Sequence, residues 1–213
     1  MPTRPVTFTI FFQSCLSIDS NLDYPWGPID LSNSEGSFAL DGAVTDENLS
    51  EFFLSLCKKL RIGRHAEIQH VFDELADRST LPVLEGYLEI AGPAGQLFRS
   101  GISWDVKKWA GMRTFVHSCH PLYFGHEPIL AFTLDGDKVS IAEIHDYEGS
   151  KGNEREVKTF EVALDDFRNS LLDLEHALQD FVERVLKWLE ERKLVSSKIG
   201  THISEALGLR KAE

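Results

Sequence analysis

The chain has 213 residues, of which 34 are acidic and 22 basic, giving a formal charge of −12 at pH 7. At 42% hydrophobic and 10% aromatic it carries enough apolar surface to offset the entropy of ordering, which excludes an intrinsically disordered chain. The charge also argues against nucleic acid, because neutralising phosphates takes clustered Lys and Arg, and the dense basic group here is only Lys58, Lys59, Arg61 and Arg64.

The length suits a single domain, residues 1–213, that buries a core without disulfide or metal staples. At the N-terminus Val6, Phe8, Ile10 and Phe12 alternate with Thr7, Thr9 and Phe11, which predicts a β-strand and is too short an apolar run for a signal peptide. Tyr24-Pro25-Trp26-Gly27-Pro28 reads as a turn presenting two aromatic rings, because proline and glycine forbid a helix there. A short strand is expected at Ser37–Leu40. Residues 1–44 thus form N-terminal strands and an acidic loop.

A helical pair over 45–78 follows. Thr45 is placed to cap the first helix, Asp46 and Glu47 suit its positive end, and Leu49, Phe52, Phe53, Leu56 and Leu60 recur at helical spacing up to Gly63. A second helix is expected from about Arg64 to Ala76, with Ile68, Val71, Phe72 and Leu75 inward. Over 82–162 the period drops to two, predicting an antiparallel sheet. Its strands are Val83–Ile90, Leu97–Ser103, Met112–Ser118, Ile129–Leu134, Lys138–Asp146 and Val157–Val162, with a helical turn over Trp104–Ala110. Asp135-Gly136 predicts a hairpin with a type I′ turn.

From 164 to 193 a long helix is expected. Leu164, Phe167, Leu171, Leu174, Leu178, Phe181, Val185 and Trp188 make one stripe, and Leu172, Val182, Leu186 and Leu189 widen it beyond a coiled-coil seam. The tail, 194–213, holds a short helix near Ile203–Leu209. Together these elements predict an α+β fold: an antiparallel β-sheet with an N-terminal helical pair and a long C-terminal helix packed on the sheet.

Three cysteines, Cys15, Cys57 and Cys119, are odd in number and form no CxxC pair, so a reducing cytoplasm is the expected compartment. No apolar stretch reaches the roughly 18 residues that span a bilayer, so no membrane role is expected. His117, Cys119, His120 and His126 crowd into ten residues and are the only metal or thiol candidates. In a strand His117 and Cys119 would share a face and His120 would oppose them, which falls short of the three or four converging ligands zinc needs. Glu143 and His145 alternate on one strand face. Without a GxSxG elbow, P-loop or GxGxxG motif, the sequence assigns no catalytic residue, no metal and no cofactor, and the expected class is a binding protein rather than an enzyme. A small metal-dependent or thiol enzyme using the histidine and cysteine cluster is the alternative.

Charge distribution is the more informative signal. From Ser14 to Leu56 the chain has eight acidic residues and no Lys or Arg, so eight of the twelve net negative charges fall in one fifth of its length. Within that run Asp19, Asp23, Asp30, Glu35 and Asp41 surround Tyr24 and Trp26, a pairing of acidic field and aromatic anchors suited to a basic protein partner.

The segment from Trp104 to Ile141 resembles a bacterial family designated as a domain of unknown function. The matching residues are Trp104-Asp105, Trp109, Arg113, Leu122-Tyr123-Phe124-Gly125, Pro128-Ile129 before Phe132, and Gly136-Asp137-Lys138-Val139-Ser140-Ile141. Pro25-Trp26-Gly27 and the helix near Phe167 follow the same order, and Ala142-Glu143 departs from the aromatic expected after Ile141. The resemblance implies no reaction. By analogy with small, acidic, cytoplasmic bacterial immunity proteins it implies neutralisation of a cognate toxin by direct binding.

Overall fold

The structure is a computed structural model that describes residues 6–16, 23–24, 27–28, 36–62, 67–101, 104–118, 120–125, 128–146, 155–194 and 197–209. It is an α+β fold with antiparallel sheets, N-terminal helices and a long C-terminal helix. The chain divides into two compact units, one formed by Met1–Phe11 and Glu85–His176, the other by Phe12–Leu84 and Ala177–Glu213.

In the first unit, strand β1 (Thr7–Gln13) contributes its opening residues beside β5 (Glu85–Ala91). Gly86 permits that approach, since a Cβ at this position would stand 1.9 Å from the Phe11 carbonyl oxygen. The strand β5 also pairs antiparallel with β6 (Leu97–Arg99) and β7 (Trp104–Asp105). A separate four-stranded antiparallel sheet runs in the order β11 (Arg155–Ala163), β10 (Lys138–Asp146), β9 (Ile129–Asp135), β8 (Leu122–Phe124). The hairpin between β9 and β10 falls where Asp-Gly predicts it, but its turn differs in type. Gly136 has φ +59° and Asp137 is not left-handed, the pattern of a II′ turn with glycine first rather than of I′.

Met112–Ser118 is not a strand. Trp104–Asp105 leads into a 3₁₀ helix, Val106–Ala110, and then helix α3, Gly111–Ser118. Trp109, Met112, Phe115 and Val116 are buried at intervals of three and four, the helical period that a reading in steps of two passes over.

Helix α4 (Leu164–Glu191) begins where β11 ends, and the Leu164 amide donates to the Asp137 carbonyl at 2.7 Å. Its residue Phe167 packs edge-on against Phe8, Phe115 and Phe132 at centroid distances of 5.2, 5.8 and 6.0 Å, placing the helix on the sheet strands. Nearby, the Ser170 hydroxyl donates to the Val6 carbonyl.

The second unit is built on α1 (Asp46–Leu60), α2 (Ile68–Asp77), the second half of α4 and α5 (Ser197–Ala206), with β4 (Ser37–Ala39) beside the end of β1. Thr45 caps α1 as expected, accepting from the Asn48 amide while Asn48 reaches back to the Thr45 amide. The stop is Arg61 rather than Gly63: Arg61 takes a left-handed conformation, φ 58°, and closes a Schellman pattern in which Ile62 donates to Cys57. Phe52, Phe53, Phe72, Phe181 and Trp188 form the aromatic core, with Phe53 stacked on Trp188 at 5.3 Å. The α4 stripe is narrower than predicted on one flank: Val182 and Leu189 are buried, whereas Leu172 and Leu186 are exposed. Leu186 lies against Gly200 of α5, where a Cβ would stand 2.9 Å from its terminal methyl. The expected tail helix is longer and earlier than Ile203–Leu209.

Candidate functional site

The acidic run starts at the end of β1 and extends into α1. Asp41 accepts from the Ala43 amide at 2.8 Å and shapes the turn before the helix. Asp23 and Tyr24 form the two-residue strand β2, paired with β3 (Gly27–Pro28), and their side chains lie outside the description. Asp19, Trp26, Asp30 and Glu35 lie outside the described residues. Two acids of the run serve the fold. Asp46 accepts from both Arg184 and Arg192, and Glu51 is buried in α1. Burial opposes ionisation of Asp46, but the hydrogen bonds and charges of Arg192 and Arg184 outweigh it and hold the carboxyl below its ordinary value. Arg192 is placed further by stacking over Trp188 at 4.1 Å.

The basic group at the end of α1 also serves the fold. Lys58 donates to the Cys15 carbonyl at 2.6 Å and Lys59 to the Val83 carbonyl at 3.0 Å, so each clips a connecting segment to the helix. Neither lysine competes for the acidic side chains through these bonds. Cys57 beside them is buried, and that burial, helped by Glu74, pushes its thiol up to about 12, far from the thiolate that nucleophilic chemistry requires.

His117 sits on α3 rather than on a strand, so it does not share a strand face with Cys119. It and His120 are exposed, while Cys119 and His126 lie outside the described residues. Among the described residues no group of three or more His, Cys, Asp and Glu side chains is placed to hold a metal ion.

The structure does assemble a polar cluster around Glu143, one of the pair that alternates on β10. Glu143 is 6% exposed. One of its oxygens accepts from the Arg99 backbone amide on β6 at 2.8 Å, the other bonds His145 Nε2 at 2.9 Å, and Lys158 stands opposite on β11 at 3.8 Å. Arg99 in turn pairs with Glu89 at 2.6 Å and lies over Tyr87, which stacks on Phe11. One oxygen of the carboxylate thus ties β6 to β10, and the other bonds His145 on β10 itself. The i, i+2 spacing of Glu143 and His145 shows in the sequence; their partner, a backbone amide 44 positions away, leaves no mark there.

No helix among the described residues is long and apolar enough to cross a membrane. Comparison of the chain with protein-family models, curated proteins and solved structures finds no match.

Proposed function

We propose that this chain is a cytoplasmic binding protein of the bacterial immunity type, which neutralises a basic toxin by binding it through the acidic segment that carries Asp19, Asp23, Tyr24, Trp26, Asp30, Glu35 and Asp41. The observation that carries this reading is the run from Ser14 to Leu56, eight acids without one Lys or Arg. Asp46 and Glu51 are absorbed by the fold of α1, which leaves exposed Glu47 and the acids ahead of that helix to set the field. Such a field accelerates and orients encounter with a basic surface, and aromatic rings within it supply contact area of the kind that dominates binding energy. The resemblance of the Trp104–Ile141 segment to a bacterial family without an assigned reaction is in keeping with a role by binding.

The test is a pull-down from the native cell with the wild-type chain and with the combined variant D19N/D23N/D30N/E35Q. A basic partner retained by the wild type, released by salt and weakened by the four substitutions is the expected result. Unchanged capture and unchanged salt dependence would sink the proposal. Stoichiometric zinc in protein purified without a histidine tag would instead favour the metal enzyme built on His117, Cys119, His120 and His126.

A further inference from the structure

Strand β11 ends its sheet: β10 covers one side, and among the described residues no strand pairs on the other. The phase of the ladder fixes which groups are left over. Asp135 and Lys138 flank a two-residue turn and so bond each other, and the Leu164 amide donates to Asp137. Counting along the register, Lys158, Phe160 and Val162 bond to β10, while Val157, Thr159 and Glu161 turn their N–H and C=O groups outward. The strand is nine residues long, Val157 is 49% exposed, and Thr159 and Glu161 are exposed too. A long edge with outward ladder groups is a template for another strand.

At the C-terminal end of this edge a cleft of about 280 Å³ opens, lined in part by Asp137, Lys138, Glu161, Ala163, Asp166 and Pro93. Lys138 is already matched by Glu161 at 3.2 Å, and with Asp137 and Asp166 the lining holds three carboxylates to one ammonium, so the cleft is acidic. We propose that the free edge of β11 takes up an extended segment of a partner protein as a further antiparallel strand, with a lysine or arginine near that segment's N-terminus seated in the cleft. Antiparallel pairing brings the N-terminal end of the incoming strand to the C-terminal end of β11, where the cleft lies. The acidic cleft selects a basic side chain on the incoming strand, and a second copy centred on Glu161 would set like charges opposite each other. This surface is formed by β11 and by Val6, Pro93, Asp137, Lys138 and Asp166, none of them in the acidic run from Ser14 to Leu56, so it stands or falls apart from the function proposed above.

The test is amide hydrogen exchange by NMR on the full chain, with a synthetic peptide of about seven residues that carries arginine at its second position followed by alternating threonine and valine. Two controls are the same peptide N-methylated at alternate residues and one with glutamate replacing arginine. In the free protein Val157, Thr159 and Glu161 amides are expected to exchange fast while those of Phe160 and Val162 are protected. The arginine peptide should slow the three outward amides by at least about tenfold, the N-methylated one should not, and E161Q/D166N should raise the peptide concentration required by about tenfold. Protection of the outward amides in the free protein overturns the proposal, whether sedimentation then shows a dimer, meaning a second copy occupies the edge, or a monomer. Absence of protection at millimolar arginine peptide overturns it as well, as does equal protection by the glutamate peptide.

Discussion

At the head of α1, Asp46 faces two guanidinium groups, and its ionisation is therefore tied to folding. A carboxyl held below its ordinary value of 3.8 contributes stability that is complete above that value and is lost as pH falls through the lower folded value. The side chain is 44% exposed, so solvent screens the pair, and D46N should cost about 1 kcal/mol near neutral pH rather than the larger figure of a buried ion pair. In urea titrations from pH 7 to pH 3 the gap between wild type and D46N should hold constant to about pH 4 and then narrow. A gap that is flat through pH 3 would mean that ionisation of Asp46 is not coupled to folding and that the cost of D46N has another origin. Glu143 is likewise tied to the fold: one oxygen of this buried side chain accepts from the Arg99 amide and links β10 to β6, and the other bonds His145.

Among the elements, the two helix ends closed by non-glycine residues are the local conflict between sequence and fold. Arg61 after α1 and Lys193 after α4 are the only non-glycine residues with positive φ among those described, at 58° and 59°. Both close Schellman patterns, and α5 closes the same pattern with Gly208 at φ 73°. An L-residue in this region costs about 1–2 kcal/mol, partly offset in a glycine variant by the entropy of the unfolded chain, so K193G should gain about 0.5–1 kcal/mol. Thermal or urea unfolding measures it, and a loss of stability would show that Lys193 holds its conformation through side-chain contacts. Much of the element order was legible in the sequence where one face is buried and the period is clean: β1, α1 with its Thr45 cap, the β9–β10 hairpin and α4 all fall where their patterns predict. The failures have physical causes. In Met112–Ser118 the apolar residues Met112, Phe115 and Val116 do keep helical spacing, but a seven-residue window between strands is short enough for that period to be passed over, and the burial of Trp109, Met112 and Phe115 declares it. The end of α1 was misplaced because Gly63 is the better left-handed residue on intrinsic preference, yet the bonds from Arg61 and Ile62 close the helix two residues earlier. For the proposed site, the composition of the acidic segment was legible, whereas the internal use of Asp46 depends on arginines 138 and 146 positions away. The outward edge of β11 needed the register of two hairpins.

At the scale of the whole molecule the charge of −12 makes two different demands, and salt separates them. Self-repulsion opposes folding at low ionic strength, where charges interact over about 30 Å, and fades near 0.1 M, where the range is about 10 Å. If the acids from Asp19 to Glu35 serve a partner and not the fold, D19N/D23N/D30N/E35Q relieves part of that repulsion and removes no internal contact that folding needs. Its melting temperature should then equal or exceed that of the wild type in dilute buffer, and rise less on adding salt. Association with the basic partner should move the other way, slowing by about tenfold at low salt, with the two proteins converging as salt is raised. The pair of measurements discriminates between the roles of the segment. Lower stability together with slower binding would mean that these carboxylates are structural, and that the partner reads a fold the variant no longer holds. Raised stability with slower binding leaves recognition as the reason for concentrating so much negative charge before α1.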